Sequence, residues 1–492
     1  MNSSGDSSIP AAGLAGLVDK ARLADARRMY GVAREVYGEV LRLDPSHLFA
    51  LSRLVTIDGQ EGRMDAAEDH HRRLVAALES ADLAGVHWPY LATIAFQNVV
   101  RPMPRALYRA VTRELDRRLT APPRTRPARA GGRIKVGYLS SLLRDHPVGH
   151  VTAALFAAHD RRRFEVHVFY RPDDGPPNPY TETIRKGAEH FITLSGTARA
   201  MADGVAAHGL DILIYIDGYT ELDMLETVAL RPAPVQAFWL GHPGGCEIAA
   251  IDYLIADATV VPPGEEHLYG AKVVRLPGPY HCATPQRIGA PMTRAWAGLP
   301  EQGFVFCAFN NPEKVDRAVF ECWMGILKRT PGSVLWLSRA QSPEVEGNFR
   351  AAAAAAGVDG ARLVFAARVP DKASHMTRHQ LAGLFLDTFT YNANSTALDA
   401  LWAGLPVLTC AGDRFGARFG AMALKSLGLE ELIARTAAEY ADRAVHLATH
   451  GEALDELRSL LAGNRYTEPL FRIDQFCRGL EDALETMAGV LT

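Results

Sequence analysis

The chain lacks any uninterrupted apolar run near the ~20 residues that span a bilayer, so no membrane segment is expected. Residues 1–10 are polar and Ser-rich, without a basic start leading into an apolar core, so no signal peptide is expected either. Cysteine is scarce, with six residues in 492 and no CxxC pair. That argues against a disulfide framework and a zinc site, and it fits a reduced, cytoplasmic setting. Excess charge is also missing: 56 Asp and Glu face 53 Lys and Arg, for a net charge of -3. Charged residues make up only 22%, so neither disorder nor a polyanion-binding surface follows, and nucleic acid is not an expected partner. What is present is a hydrophobic content of 48%, enough for several cores. The length implies about three domains.

From 11 to 119 the apolar residues recur at helical spacing, with no strand pattern between them. Ala33, Tyr37 and Leu41 precede Asp44-Pro45, and Ala67, His71 and Val75 follow with the same steps of four. The offset from Ala33 to Ala67 is 34 residues, the period of a tetratricopeptide helix pair. The plainer reading is ordinary amphipathic helices in chance register. The helices from 85 to 119 are expected to cap the stack. Residues 120–132, rich in Pro, Gly and Arg, read as a solvated linker.

From 133 to 298 strands and helices alternate. The strands read are Ile134-Lys-Val-Gly-Tyr-Leu-Ser, Phe164-Glu-Val-His-Val-Phe-Tyr, Leu210-Asp-Ile-Leu-Ile-Tyr-Ile-Asp and Val235-Gln-Ala-Phe-Trp-Leu-Gly. A helix is expected from Val151 to His159. The pattern repeats from 299 to 492, with strands at Phe304-Val-Phe-Cys-Ala-Phe, Ser333-Val-Leu-Trp-Leu-Ser, Arg362-Leu-Val-Phe, Leu384-Phe-Leu-Asp and Val407-Leu-Thr-Cys. Such alternation predicts two parallel sheets covered on both faces. The expected fold class is α/β: two Rossmann-like lobes in tandem behind an all-α domain suggest the GT-B architecture, a pattern that other two-domain α/β enzymes share. Ligands in such sheets bind beyond the carboxyl ends of the strands.

Four clusters near those ends carry chemistry. His146 and His150 follow the first strand, and a histidine there can bind a hydroxyl or move a proton near neutral pH. The plainer reading is a helix-capping or packing histidine. Lys314 follows Asn310-Asn311-Pro312-Glu313, where a lysine beside a helix start suits a diphosphate, although a solvated surface lysine is the commoner case. Lys372, His375 and Arg378 are spaced three apart and share one helix face, which is either a nucleoside platform or an exposed basic surface. In the fourth cluster a small-polar loop leads into a helix starting near Ser395 or Thr396, with Asp399 one turn on. Free N–H groups at a helix start make a phosphate site, and Thr396-x-x-Asp399 also resembles a capping box.

In combination and in this order, several stretches over 134–487 resemble the O-linked N-acetylglucosamine transferase family, glycosyltransferase family 41. They are Val136-Gly-Tyr-Leu-Ser-Ser with His146-Pro147, Asp217-Gly-Tyr-Thr, Leu230-Arg-Pro-Ala-Pro-Val-Gln-Ala-Phe-Trp-Leu-Gly-His-Pro-Gly, Phe309-Asn-Asn with Lys314, Ser333-Val-Leu-Trp-Leu, His375 with Arg378, and Leu386-Asp-Thr with Asp399-Ala-Leu-Trp-Ala-Gly-Leu-Pro. The resemblance implies an inverting single displacement from a UDP-sugar, UDP-GlcNAc first, to Ser or Thr hydroxyls of a protein acceptor. It implies no metal and no cofactor, and no DxD motif stands at an expected strand end. Lys314 would neutralise the leaving diphosphate, and Ser395 and Thr396 would bind the phosphates. His375 would stack on uracil with Arg378 beside it, Lys372 would lie near the nucleoside, and Asp399 would hold the ribose. His146 would face sugar and acceptor as the candidate base, and Gly241, His242 and Pro243 would line the sugar pocket.

Departures fall at Asn311, where Gln is frequent, at Asn394, where His is common, and at His242, where Tyr is common. Asp399 favours UDP over GDP, because fucosyl-transferring relatives tend to carry Glu there. The repeats would recruit the acceptor, and the stretch from 470 to 491 is expected to cross back onto the first lobe. Alternatives are a family member with another donor sugar or a dedicated acceptor such as flagellin or Asn side chains, a non-catalytic repeat-based binding protein, and a nucleotide-sugar epimerase.

Overall fold

A computed structural model describes residues 11–119, 131–173, 175 and 178–489. Most of the expected linker, residues 120–130, lies outside the described residues.

Six helices come first: α1 (Ala11–Ala26), α2 (Tyr30–Leu43), α3 (Leu48–Gln60), α4 (Met64–Ser80), α5 (Trp88–Gln97) and α6 (Arg105–Leu119). They pack as consecutive antiparallel neighbours, α1 on α2, α3 on α4 and α5 on α6. Ala33 and Ala67 are both fully buried, each in the first turn of its helix, α2 and α4. The small side chain lets the neighbouring helix approach. α2 ends one residue before Asp44-Pro45, since proline has no N–H to continue the ladder.

The first lobe holds β1 (Ile134–Ser140), β2 (Phe164–Tyr170), β3 (His190–Thr193), β4 (Ile212–Tyr215), β5 (Val235–Phe238), β6 (Tyr253–Ala256) and β7 (Lys272–Arg275). Their order is β3-β2-β1-β4-β5-β6-β7, all parallel. Its helices are α7 (Pro147–Thr152), α8 (Leu155–Ala158), α9 (Pro179–Gly187), α10 (Ala198–Ala206) and α11 (Leu222–Ala229). The helix expected from 151 to 159 begins earlier, at Pro147, and is broken into α7 and α8.

The second lobe repeats the order as β10-β9-β8-β11-β12-β13, again parallel. These strands are β8 (Val305–Ala308), β9 (Val334–Leu337), β10 (Leu363–Phe365), β11 (Leu384–Leu386), β12 (Val407–Cys410) and β13 (Ile433–Ala434). The helices are α12 (Arg317–Arg329), α13 (Pro343–Ala355), α14 (Lys372–Arg378), α15 (Ser395–Trp402), α16 (Phe419–Lys425), α17 (Ala437–Thr449), α18 (Gly451–Thr467) and α19 (Ile473–Ala488). In each lobe the order reverses beside the first strand, between β1 and β4 and between β8 and β11. Ligands collect at such switch points.

The boundary drawn at 299–492 needs one correction. α19 packs on the first lobe, against α8 and β4, as its expected return implies. Glu481 accepts from His159 Nδ1 at 3.1 Å and from the Asp160 N–H at 2.7 Å, and Arg163 Nε donates to Glu485 at 2.9 Å. Leu480 and Leu484 are fully buried beneath them. Each such leucine contributes about 1.5–3 kcal/mol by leaving water, so the tail is tied down by apolar burial as well as by charge.

Candidate active site

The carboxyl ends of both sheets face one cleft of about 310 Å³. From the first lobe come His146, Gly241, His242 and Pro243, and from the second come Asn311, Lys314, Asn394, Ser395 and Thr396. A third wall was not foreseen: Phe96, Val99 and Val100, at and after the end of α5, close the cleft from the helical domain.

A buried aspartate builds the loops of each lobe. After β4, Asp217 accepts from Ser141 N and Ser141 Oγ, both at 2.8 Å, and from Ser140 Oγ. After β11, Asp387 accepts from Thr388 N at 2.8 Å, Ala393 N at 2.7 Å and Thr409 Oγ1 at 2.8 Å. Burial pushes both carboxyls up to about 6, while the hydrogen bonds hold them down. Two residues of the cleft loops carry positive φ without being glycine, Leu240 at 85° and Asn394 at 53°. Such strain persists where the surroundings over-determine it, and it gathers at binding sites. Gly241, next to Leu240, is required by space, because a Cβ there would lie 2.2 Å from the Ile216 carbonyl oxygen.

Lys314 sits in a 3-10 turn, Pro312–Lys314. Its Nζ donates to the Asn392 carbonyl at 2.8 Å and lies 3.6 Å above the Tyr391 ring. Burial lowers its pKa to about 8, against the pull of Asp387 and Glu313. It is therefore no solvated surface lysine. Facing it, α15 starts at Ser395 with Asn394 as its cap residue, and Asn394 makes no side-chain cap bond. Thr396 lies inside the first turn, so the capping-box reading does not apply. The Thr396 N–H already reaches the Ala393 carbonyl at 3.3 Å, so the helix start offers an anion the Ser395 N–H and the hydroxyls of Ser395 and Thr396, with Lys314 lining the same cleft.

One turn on, Asp399 accepts from Lys372 Nζ at 2.5 Å and pairs with His375 Nε2 at 3.4 Å. These partners hold its carboxyl at about 2, although burial is the largest single influence and acts upward. Arg378 is not an exposed basic residue. It is 8% exposed, lies 4.3 Å above the Phe309 ring, and burial lowers its pKa to about 10. Lys372, His375, Arg378 and Asp399 thus form one cluster on the second lobe, joined through α15 to the Lys314 end. His150, bonded to Asp145 through Nε2 at 2.7 Å, feels the charges of Lys372 and Asp399 from the first lobe.

His146 is the N-cap of α7, and its Nδ1 accepts from the Val148 N–H at 3.2 Å. Burial lowers its pKa to about 4, helped by Arg144 and His150. The neutral ring therefore spends Nδ1 on the helix and presents Nε2–H outward. In that tautomer Nε2 is placed to donate a hydrogen bond. His242 is 2% exposed, and neither ring nitrogen has a partner. It stacks on Phe96 at 5.4 Å and meets the Tyr219 ring edge-on at 5.2 Å. With Val99 and Pro243 it also lines a second cleft of about 490 Å³, which runs out past Arg105, Glu247 and Arg414.

Two groups among the described residues bring three metal-type ligands within 4.8 Å: His159, Cys477 and Glu481, and Glu165, His167 and His190. Neither lines the cleft, and ring nitrogens in both already have partners within the protein. Tyr138 OH and His159 Nε2 are 2.7 Å apart, and Glu165 Oε1 bonds His167 Nε2 at 3.0 Å.

Residues 122–288 and 282–480 match the pattern of glycosyl transferase family 41. A probable UDP-N-acetylglucosamine–peptide N-acetylglucosaminyltransferase of Arabidopsis thaliana, SEC, is 34% identical over 383 residues, 74% of this chain and 39% of that protein. The Caenorhabditis elegans UDP-N-acetylglucosamine–peptide N-acetylglucosaminyltransferase is 27% identical over 475 residues, 73% of this chain and 41% of that protein. The chain thus spans about two fifths of the length of these relatives. A solved structure of a mutant O-GlcNAc transferase from Thermobaculum terrenum superposes with a TM-score of 0.75 at 26% identity, covering 99% of this chain and 98% of that one. The match to the family pattern covers most of both lobes and every residue they contribute to the cleft, and the chain belongs to glycosyltransferase family 41.

Proposed function

We propose that the protein transfers N-acetylglucosamine, or a closely related sugar, from a UDP donor to Ser or Thr hydroxyls of protein acceptors. The acceptor oxygen bonds to the anomeric carbon as the bond to the diphosphate breaks. The electron pair leaves with UDP, the acceptor's hydroxyl proton passes to solvent, and configuration inverts in one displacement. The charge developing on the diphosphate must be met by fixed positive groups, and Lys314 and the start of α15 fill that role without a metal. Asp399 takes the ribose, His375 the uracil, and Lys372 stays beside the nucleoside. His146 Nε2–H and the 241–243 loop contact the sugar. The acceptor reaches the anomeric carbon along the second cleft, between His242 and the helical domain, which recruits it.

The single observation that carries the reading is Lys314, partly desolvated and opposite an uncapped helix start in the cleft between the lobes. The printed names of the relatives from Arabidopsis and Caenorhabditis support UDP-GlcNAc and a peptide as substrates. Six free cysteines support a reduced compartment such as the cytoplasm, and no described helix is long and apolar enough to cross a membrane. Calorimetric titration with UDP, UDP-GlcNAc and GDP in EDTA tests the donor. Binding of both uridine nucleotides is expected, with loss in Lys314→Ala. Preferential GDP binding would move the donor to a guanosine sugar. No nucleotide binding would leave a repeat-based binding protein.

A further inference from the structure

The turn that carries Lys314 is gripped from outside the catalytic lobes. Pro312–Lys314 packs against α3 of the helical domain. Gly59 makes that approach possible, since a Cβ there would lie 3.3 Å from both Cα and Cβ of Glu313. The neighbouring Gln60 side chain favours the charged form of the Glu313 carboxylate, and Asn311 Nδ2 donates to Glu313 Oε1 at 3.3 Å. Arg53 and Arg101, both from the helical domain, add their charge toward Glu313. The same corner continues onto the second lobe. Asn348 Nδ2 donates to the Glu61 carbonyl at 2.9 Å, and Asp65 pairs with Arg317. At its other end the domain docks on the first lobe, where Arg109 donates to the His267 carbonyl at 2.6 Å and Asp116 accepts from Ala249 N at 2.7 Å. The helical domain therefore bridges both lobes, and one of its close approaches to the second lobe is at the residue beside Lys314.

We infer that Glu313, held by Gly59 and Gln60, is a positioning residue for Lys314, so that the helical domain is a working part of the diphosphate site as well as an acceptor-recruiting arm. The inference rests on the donor role proposed for Lys314. Two carboxylates face that ammonium, Glu313 from its own turn and Asp387 from the end of β11, and both favour its charged form. Around Glu313 itself stand Lys314, Arg53 and Arg101. Removing the Glu313 charge leaves Asp387 alone to oppose desolvation, so Lys314 loses its proton at lower pH. A change at Gly59 acts on the same group by displacing the Glu313 backbone, with no contact to ligand.

The test is UDP affinity of the full chain across the neutral to alkaline range in EDTA, for the wild type, Glu313→Gln, Glu313→Asp, Gln60→Ala and Gly59→Val. Uridine affinity and thermal melts are measured beside it. Glu313→Gln is expected to move the alkaline midpoint of UDP binding down by about half a pH unit or more, and Glu313→Asp to restore most of it. Gly59→Val and Gln60→Ala are expected to shift the midpoint in the same direction while uridine binding holds. Uridine reads the Lys372, His375 and Asp399 end, so its retention shows a folded lobe. A midpoint that stays put in Glu313→Gln and Gly59→Val, with wild-type UDP binding intact, overturns the inference alone. Absence of UDP binding by the wild type overturns the donor reading and this inference with it.

Discussion

The two lobes share one sheet order and differ in the chemistry at their carboxyl ends. The first lobe brings His146 and His242, both with pKa values lowered to about 4 by burial and therefore neutral. The second brings Lys314, faced by Asp387 and Glu313, and Lys372 and Arg378, with Asp399 as the counter-charge of that pair. A duplicated scaffold thus separates two tasks. The cationic end suits a leaving diphosphate and its nucleoside. The neutral, donor-bearing end suits sugar and hydroxyl groups that carry no charge. The buried aspartates Asp217 and Asp387 occupy matching places and hold loops in both lobes, so loop construction is shared while ligand chemistry is not.

The largest effect should come from Lys314→Ala. Loss of a fixed positive group at the developing charge is expected to cost about a hundredfold to a thousandfold in kcat, measured as sugar transfer or UDP release. Retention of wild-type kcat would break the division between lobes. Asp399→Asn should come next, weakening UDP about tenfold or more by calorimetry, because hydrogen bonds to charged groups are among the stronger ones. UDP binding as tight as wild type would place the ribose elsewhere.

Matched substitutions sharpen the comparison. Asp217→Asn and Asp387→Asn should each lower stability by about 1–3 kcal/mol, the penalty of disturbing a buried hydrogen-bonded group. Only Asp387→Asn should also weaken UDP, since Asp387 holds the Ala393 N–H and faces Lys314. Equal losses of UDP affinity would erase the distinction. The smallest effect belongs to His146→Gln. Because the ring is neutral well below physiological pH, the acid limb of the rate profile should not move. Removing its cap should cost about 1 kcal/mol in a thermal or denaturant melt. A displaced acid limb would return His146 to a proton-transfer role.

The strands with buried, apolar runs were legible in the sequence, and β1 and β2 fall where they were read, at Ile134–Ser140 and Phe164–Tyr170. The strands that escaped are mostly edges. β3 and β7 close the first sheet with half-exposed, partly polar residues, and β13 closes the second with two residues. β6 is interior, but its four residues show no alternation to set them apart from the apolar 248–251 stretch before them. The cleft residues were legible because each follows a strand end at short range. Their partnerships were not: Lys372 and Asp399 lie 27 residues apart, and nothing local says that they pair. The third wall, Phe96 to Val100, and the grip of Gly59 and Gln60 on Glu313 arise between domains. They leave no periodic trace in the chain.

The most direct test of the division between lobes is a crystal structure of the UDP complex. The account predicts the diphosphate between Lys314 Nζ and the start of α15, at the Ser395 N–H and the hydroxyls of Ser395 and Thr396, with the ribose on Asp399 and the uracil against His375. A diphosphate seated instead on the first lobe, at His146 or the 241–243 loop, would contradict it.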